Sequence, residues 1–179
     1  MANMKAQTHT SNRIAVYSGT FDPITLGHED VIVRASHLFD HVIVAVARAH
    51  HKQTRFDLEQ RMALVQASFR EIPNIKVMPF DGLIMDFCKV QGACAVIRGI
   101  RNATDFDYEA QMAGMNAKLL PTVETLFLLP QPQYQCISST LVREISKLGG
   151  DVTGMVSPHV VQALAPSACL LYTSDAADE

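Results

Sequence analysis

Gly19-Thr20-Phe21-Asp22-Pro23-Ile24-Thr25-Leu26-Gly27-His28 concentrates the chemistry of this 179-residue chain. An apolar run, Ile14-Ala15-Val16-Tyr17, precedes it and a helical apolar pattern follows. A strand, a glycine-bearing turn and a helix start bring backbone N–H groups to one point, and the helix dipole adds about half a positive charge there. That is a place for an anion. His28 falls in the first helical turn, where an imidazole is a donor that can carry charge near neutral pH. Its Nε2–H is suited to an oxygen that gains charge in a transition state. Because His28 shares a stripe with Val31, Ile32 and Ala35, a satisfied core histidine is the competing use. Thr20 ends the strand with a hydroxyl that suits a phosphate oxygen. Asp22-Pro23 reads as a turn former.

Cations follow at intervals. Lys52 lies in the polar stretch Arg48-Ala49-His50-His51-Lys52-Gln53. Arg98 and Arg101 flank Gly99 at the end of another apolar run. Arginines leaving a buried strand need carboxylates or phosphates, and Asp105, Asp107 and Glu109 are the carboxylates within reach along the chain. Ser138-Ser139-Thr140 caps a helix whose free N–H groups suit a phosphate. No Gly-x-Gly-x-x-Gly, no Walker lysine motif and no Gly-x-Ser-x-Gly elbow occurs. No carboxylate pair stands out as acid and base. Such an inventory stabilises charge and has no nucleophile of its own, so it fits transfer between substrates whose attacking group is already an anion. The remaining histidines (His9, His37, His41, His50, His51 and His159) read as surface residues.

The elements that must position these groups alternate along the chain. Strands are expected at 13–18, 41–47, 75–80, 93–97 and 123–129. Helices are expected at about 26–39, from Leu58 behind an Asp57/Gln60 capping box, at 83–90 up to Gly92, at 105–120 before Pro121, from Ser138 or Ser139 to Leu148, and after Ser157-Pro158. Continuous apolar strands such as His41–Ala47 belong to parallel sheets covered on both faces. The fold class is therefore α/β: a doubly wound five-stranded parallel sheet, Rossmann-like, with right-handed crossovers. Ligands then bind at the carboxyl ends of the strands, where Thr20, His28, Lys52, Arg98, Arg101, Ser138 and Ser139 all fall.

With 48% hydrophobic and 18% charged residues the chain suits one soluble domain, over residues 13–165. Residues 1–12 read as a flexible polar start without a secretory core, and 166–179 as an appended or disordered tail. A net charge of -3 provides no field for nucleic acid, and no apolar run nears the roughly 18–20 residues of a membrane helix. Cys88, Cys94, Cys136 and Cys169 show neither disulfide nor zinc spacing; free thiols in a reducing cytoplasm follow, with Cys94 a small core residue.

Three segments together resemble the nucleotidyltransferase superfamily and, within it, the phosphopantetheine adenylyltransferase family, over about residues 13–164. They are Gly19–His28, containing a Thr-x-Gly-His form; Ile97-Arg98-Gly99-Ile100-Arg101 with Asp105–Glu109; and Ile137-Ser138-Ser139-Thr140-Leu141-Val142-Arg143. Ser18, Ile84 and Thr140 depart from residues common in that family, and Ile84 bears on the fit of the pantetheine arm. The resemblance implies adenylyl transfer from ATP to 4'-phosphopantetheine, giving dephospho-coenzyme A and pyrophosphate. It also implies Mg²⁺ entering with the nucleotide and no protein metal ligands, a cytoplasmic homohexamer, and feedback binding of coenzyme A. By position, Thr20, Lys52, Ile84 and Arg98 would meet the pantetheine substrate. Thr20, Phe21, His28, Gly99, Ile100, Arg101, Glu109 and the segment Tyr134, Gln135, Cys136, Ile137, Ser138, Ser139 and Thr140 would hold ATP. His28, Lys52, Thr20 and Arg101 would carry catalysis. An adenylyltransferase for another phosphorylated acceptor, such as nicotinate mononucleotide, and a non-catalytic nucleotide-binding regulator are the alternatives.

Overall fold

A computed structural model describes residues 12–48 and 53–165. The expectations for residues 1–11, for Lys52, His50 and His51, and for the tail from 166 with Cys169 lie outside the described residues. Five parallel strands, β1 (Ile14–Gly19), β2 (His41–Ala47), β3 (Ile75–Phe80), β4 (Ala95–Gly99) and β5 (Glu124–Leu128), form one sheet in the order β3-β2-β1-β4-β5. Helices α1 (Leu26–Ser36), α2 (Leu58–Phe69), α3 (Ile84–Gln91) and α4 (Ala103–Leu119) connect them; α5 (Ser139–Lys147) and α6 (Pro158–Leu164) follow β5. The sheet is the doubly wound, five-stranded α/β arrangement expected from the alternation.

Strand alternation sorts the core into two layers. Ala15, Tyr17, Val42, Val44, Val46, Ala95 and Ile97 pack with buried residues of α1, α2, α5 and α6. Their neighbours Val16, Ile43, Ala45 and Val96 face the other way, onto Met85 and Cys88 of α3. Period-two side chains make this unavoidable once both faces are covered. The three central strands β1, β2 and β4 are therefore buried on both sides, while the edge strands β3 and β5 are only half-buried.

Some boundaries differ from those the sequence predicts. α1 stops at Ser36 because the amides of Leu38 and Phe39 fold back onto the Ala35 carbonyl. β4 begins at Ala95: Gly92, left-handed at φ 65°, ends α3, and Ala93 still hydrogen-bonds Cys88. α4 starts at Ala103 because the Asn102 side chain accepts from the Asp105 amide. A 3-10 turn at Pro132–Tyr134 adds an element that the apolar pattern does not signal. Two side chains also sit elsewhere than expected. Cys94 is exposed just before β4, although its neighbours Ala93, Ala95 and Val96 are core. His159 is half-buried, bonding the Leu64 carbonyl at 3.0 Å and Ser68 at 3.3 Å.

Candidate active site

The chain crosses between sheet halves at the β1–β4 seam, where Ala15 pairs with Ala95. The segment after β1 folds tightly there. Phe21 sits at φ 50° and lays its ring over Gly19, where a Cβ would come within 3.0 Å of Phe21 Cζ. The same ring meets His28 edge-on at 5.3 Å. Asp22 does more than form a turn. Its buried carboxylate accepts the amides of Arg55 and Phe56 at 2.9 and 3.0 Å and pairs with Arg143 at 3.6 Å.

Thr25 and His28 form a capping box at the start of α1. The Thr25 amide donates to His28 Nδ1 at 3.1 Å, and Thr25 Oγ1 lies 2.9 Å from the same nitrogen. Nδ1 is therefore an acceptor, and the ring proton of the neutral imidazole sits on Nε2. Burial, then Arg101 and Arg98, pull the His28 pKa down to about 4. His28 is therefore a neutral Nε2–H donor, without the charge that an imidazole can carry near neutral pH. A protonated ring would also set an N–H against the Thr25 amide.

Arg98 and Arg101 take the carboxylates that the sequence left open. Arg98 grips Glu109 with two bonds, 2.7 and 2.6 Å, and donates to the Ser18 carbonyl at 2.9 Å. Burial opposes the Arg98 cation, but the bonds to Glu109 outweigh it and raise its pKa. Arg101 holds Asp105 at 2.9 and 3.2 Å. Burial would raise the Asp105 pKa; the Arg101 hydrogen bonds reverse this and lower it. Tyr17, beneath these groups, is pushed up to about 12 by burial despite Arg98, so it stays a phenol.

Around them is a cavity of about 310 Å³, lined by Phe21, His28, Arg98, Gly99, Arg101, Glu109 and Ile137–Thr140. A more apolar cavity of about 500 Å³ adjoins it and shares Ser18, Arg98 and Glu109; Ile84, Met112 and Met115 line its far walls. Thr20 opens onto a third, smaller space of about 210 Å³ together with His28, Thr54, Thr140 and Arg143. Ile100, Tyr134, Gln135 and Cys136 are not among the residues lining these three spaces. Ile100 is buried with its amide on the Leu128 carbonyl, and Tyr134 supplies a carbonyl to the Ile137 amide. Ile100 and Tyr134 thus brace the wall from behind, and Cys136 is exposed. Tyr17 and Arg143 line the site without having been singled out by sequence, and Arg61 is buried behind it on the Thr20, Ala47 and Phe56 carbonyls. Arg143 was legible four residues after Ser139 on one helix face, and Arg61 as a charge within the apolar stripe that includes Val65 and Phe69.

A parallel sheet with an anion-ready turn after β1 and a second helix start beside it defines an α/β nucleotidyltransferase, and a cytidylyltransferase-like family model matches residues 16–145. The phosphopantetheine adenylyltransferase of Acidovorax sp. (strain JS42) is 58% identical over 151 residues, 84% of this chain and 92% of that one. That of Thiobacillus denitrificans is 51% identical over 151 residues, covering 84% and 94%. That of Paraburkholderia phymatum is 48% identical over 165 residues, covering 92% and 98%. The chain belongs to the phosphopantetheine adenylyltransferase family. The solved structure of a putative nicotinate-nucleotide adenylyltransferase from Vibrio parahaemolyticus shares the fold, with a TM-score of 0.61 at 21% identity, over 86% of this chain and 91% of that one.

Proposed function

We propose that this chain catalyses adenylyl transfer from ATP to 4'-phosphopantetheine, releasing pyrophosphate and forming dephospho-coenzyme A in coenzyme A synthesis. One observation carries the reading: a polar cavity at two helix starts shares the Arg98–Glu109 pair with a larger, more apolar cavity. A triphosphate fits the first and an extended, weakly polar arm the second.

In this reading the acceptor's 4'-phosphate attacks the α-phosphorus of ATP in line; one P–O bond forms as the bond to pyrophosphate breaks. A phosphate monoester has a second pKa of ~6 and is mostly ionised at neutral pH, so no general base is required. Lys52 and Thr20 fix that phosphate, while Arg98 and Ile84 border the acceptor arm. His28 donates a hydrogen bond from its Nε2–H to an α-phosphoryl oxygen and keeps its proton. Arg101 and the amides at the start of α5 hold the departing pyrophosphate, and Phe21, Gly99, Ile100, Glu109 and the 134–140 segment shape the nucleotide's seat. Catalysis is then positioning plus electrostatics. Mg²⁺ arrives as part of the nucleotide substrate. Among the described residues no three His, Cys, Asp or Glu side chains gather as a cage for it.

Three further readings rest on family membership. Exposed apolar side chains on α4 and β5, among them Phe106, Met115, Leu119 and Leu126, support self-association, and we propose the homohexamer. Coenzyme A, which carries both an adenosine end and a pantetheine arm, is proposed to bind across both cavities as a feedback ligand. No helix among the described residues is long and apolar enough to cross a membrane, and we propose the cytoplasm as the site of action.

The test is incubation with MgATP and a panel of phosphorylated acceptors, including nicotinate mononucleotide, while pyrophosphate is followed. Release with 4'-phosphopantetheine alone is expected. Release with another acceptor only, or ATP binding with no release at all, rejects the reading.

A further inference from the structure

We propose that Arg61 of α2 is a positioning residue for the acceptor side of the reaction. It acts through three carbonyl groups and touches no substrate, and the inference rests on the function proposed above. Arg61 is 1% exposed, the largest of the fully buried side chains. Its Nε donates to the Phe56 carbonyl at 3.2 Å, and its Nη1 to the carbonyls of Thr20 at 2.6 Å and Ala47 at 2.8 Å. Those carbonyls lie on separate stretches of chain: the turn after β1, the end of β2, and the last residues before α2.

Asp22 completes the arrangement from the opposite side. Its carboxylate takes the amides of Arg55 and Phe56. The Phe56 residue is thus held at its N–H by a buried anion and at its C=O by a buried cation. Helix-to-sheet packing needs no such device. Val65 and Phe69, on the same stripe of α2, are buried by apolar contact alone. A buried guanidinium carries a desolvation cost, and burial does lower the Arg61 pKa. The planar fork of donors is the feature that no apolar or ammonium side chain supplies.

What the fork fixes is a distance. Thr20, Gln53 and Thr54 all line the smallest of the three spaces. Arg61 binds the Thr20 carbonyl and both flanks of the β2–α2 connection. It therefore fixes Thr20 against that connection at the space in which the acceptor's phosphate is proposed to sit; Ser139, Thr140 and Arg143 of α5 border the same space, but the three Arg61 bonds go neither to them nor to Arg101.

The experiment compares wild type, Arg61→Lys and Arg61→Met by pyrophosphate release with each substrate varied in turn. ATP affinity by calorimetry and folding by circular dichroism and thermal melting accompany it. A displacement of about 1 Å near reacting groups is worth about 10²-fold, so Arg61→Met is expected to lower kcat/KM for the acceptor by about that factor, chiefly through KM. ATP affinity should stay within about twofold of wild type and Arg61→Lys should recover part of the loss, since an ammonium still reaches some of the carbonyls. If Arg61→Met does not fold, Arg61→Lys decides the matter, and it is expected to show the same acceptor-selective defect in smaller degree. An unchanged acceptor KM, an equal loss of ATP affinity, or failure of both variants to fold overturns the inference. A wild-type protein silent with 4'-phosphopantetheine overturns the proposed function instead, and this inference with it.

Discussion

The imidazole of His28 is useful because it is neutral. With Nδ1 committed to Thr25, the proton on Nε2 is available at every pH where the ring is uncharged. Nitrogen-15 NMR of the free protein should show His28 as the Nε2–H tautomer from pH 8 down to about 5, well below the ordinary imidazole midpoint. A titration centred near 6.5 would contradict that. His28→Ala should lower kcat by roughly 10²–10³-fold, with nucleotide affinity changing less. Steady-state kinetics and calorimetry decide it. The position of His28 was legible from a turn followed by a helix start. Its charge state was not, because burial and two arginines some seventy positions away determine it. Arg98 and Arg101 were legible as cations in need of partners. Which carboxylate each would take depended on how far α4 reaches back over β4.

Local rules served the elements well where signals were strong. Asp57 and Gln60 cap α2 reciprocally at 2.8 and 3.1 Å, and β2 and β3 run over the residues their apolar patterns marked. They failed where a long-range bond outweighed propensity. The Arg13 carbonyl receives the amides of Asp40 and His41, so the chain leaves α1 early to meet β1. Gly92 is a helix end of the strongly signalled kind. It alone fits φ 65° without strain, and no neighbour lies within 4 Å of a Cβ placed there. Gly92→Ala should therefore cost about 1 kcal/mol in denaturant unfolding while leaving the kinetics unchanged, α3's end being remote from the cleft. A kinetic effect would mean that α3 communicates with the acceptor cavity through Ile84.

At the scale of the molecule, alternation of strands and helices was enough to read a parallel sheet, whereas the strand order and the apolar cavity beneath α4 arise only from crossovers between distant segments. Stability should record His28 as well. Its folded pKa, about 4, lies below the ordinary 6.5. Above 6.5 both states are neutral and nothing is gained or lost. As pH falls from 6.5 toward 4, the unfolded chain takes up a proton that the folded one refuses, and stability drops. Thermal melting between pH 7 and 4.5 should fall more steeply for wild type than for His28→Asn; parallel curves would assign the acid loss elsewhere. Self-association through α4 has its own check. Met115→Asp, on the exposed apolar side of that helix, should shift sedimentation toward smaller species.

The seam beneath the cleft also orders events in time. Arg98 reaches the Ser18 carbonyl from 80 positions away along the chain. While a ribosome is still translating the first three strands, His28 already exists but the cations and the α5 start that face it do not. A growing chain at that stage lacks Arg98, Arg101 and the α5 start, and so has no seat for nucleotide. Competence must therefore wait for the second half of the sheet, which carries Arg98, Arg101 and the α5 start to β1.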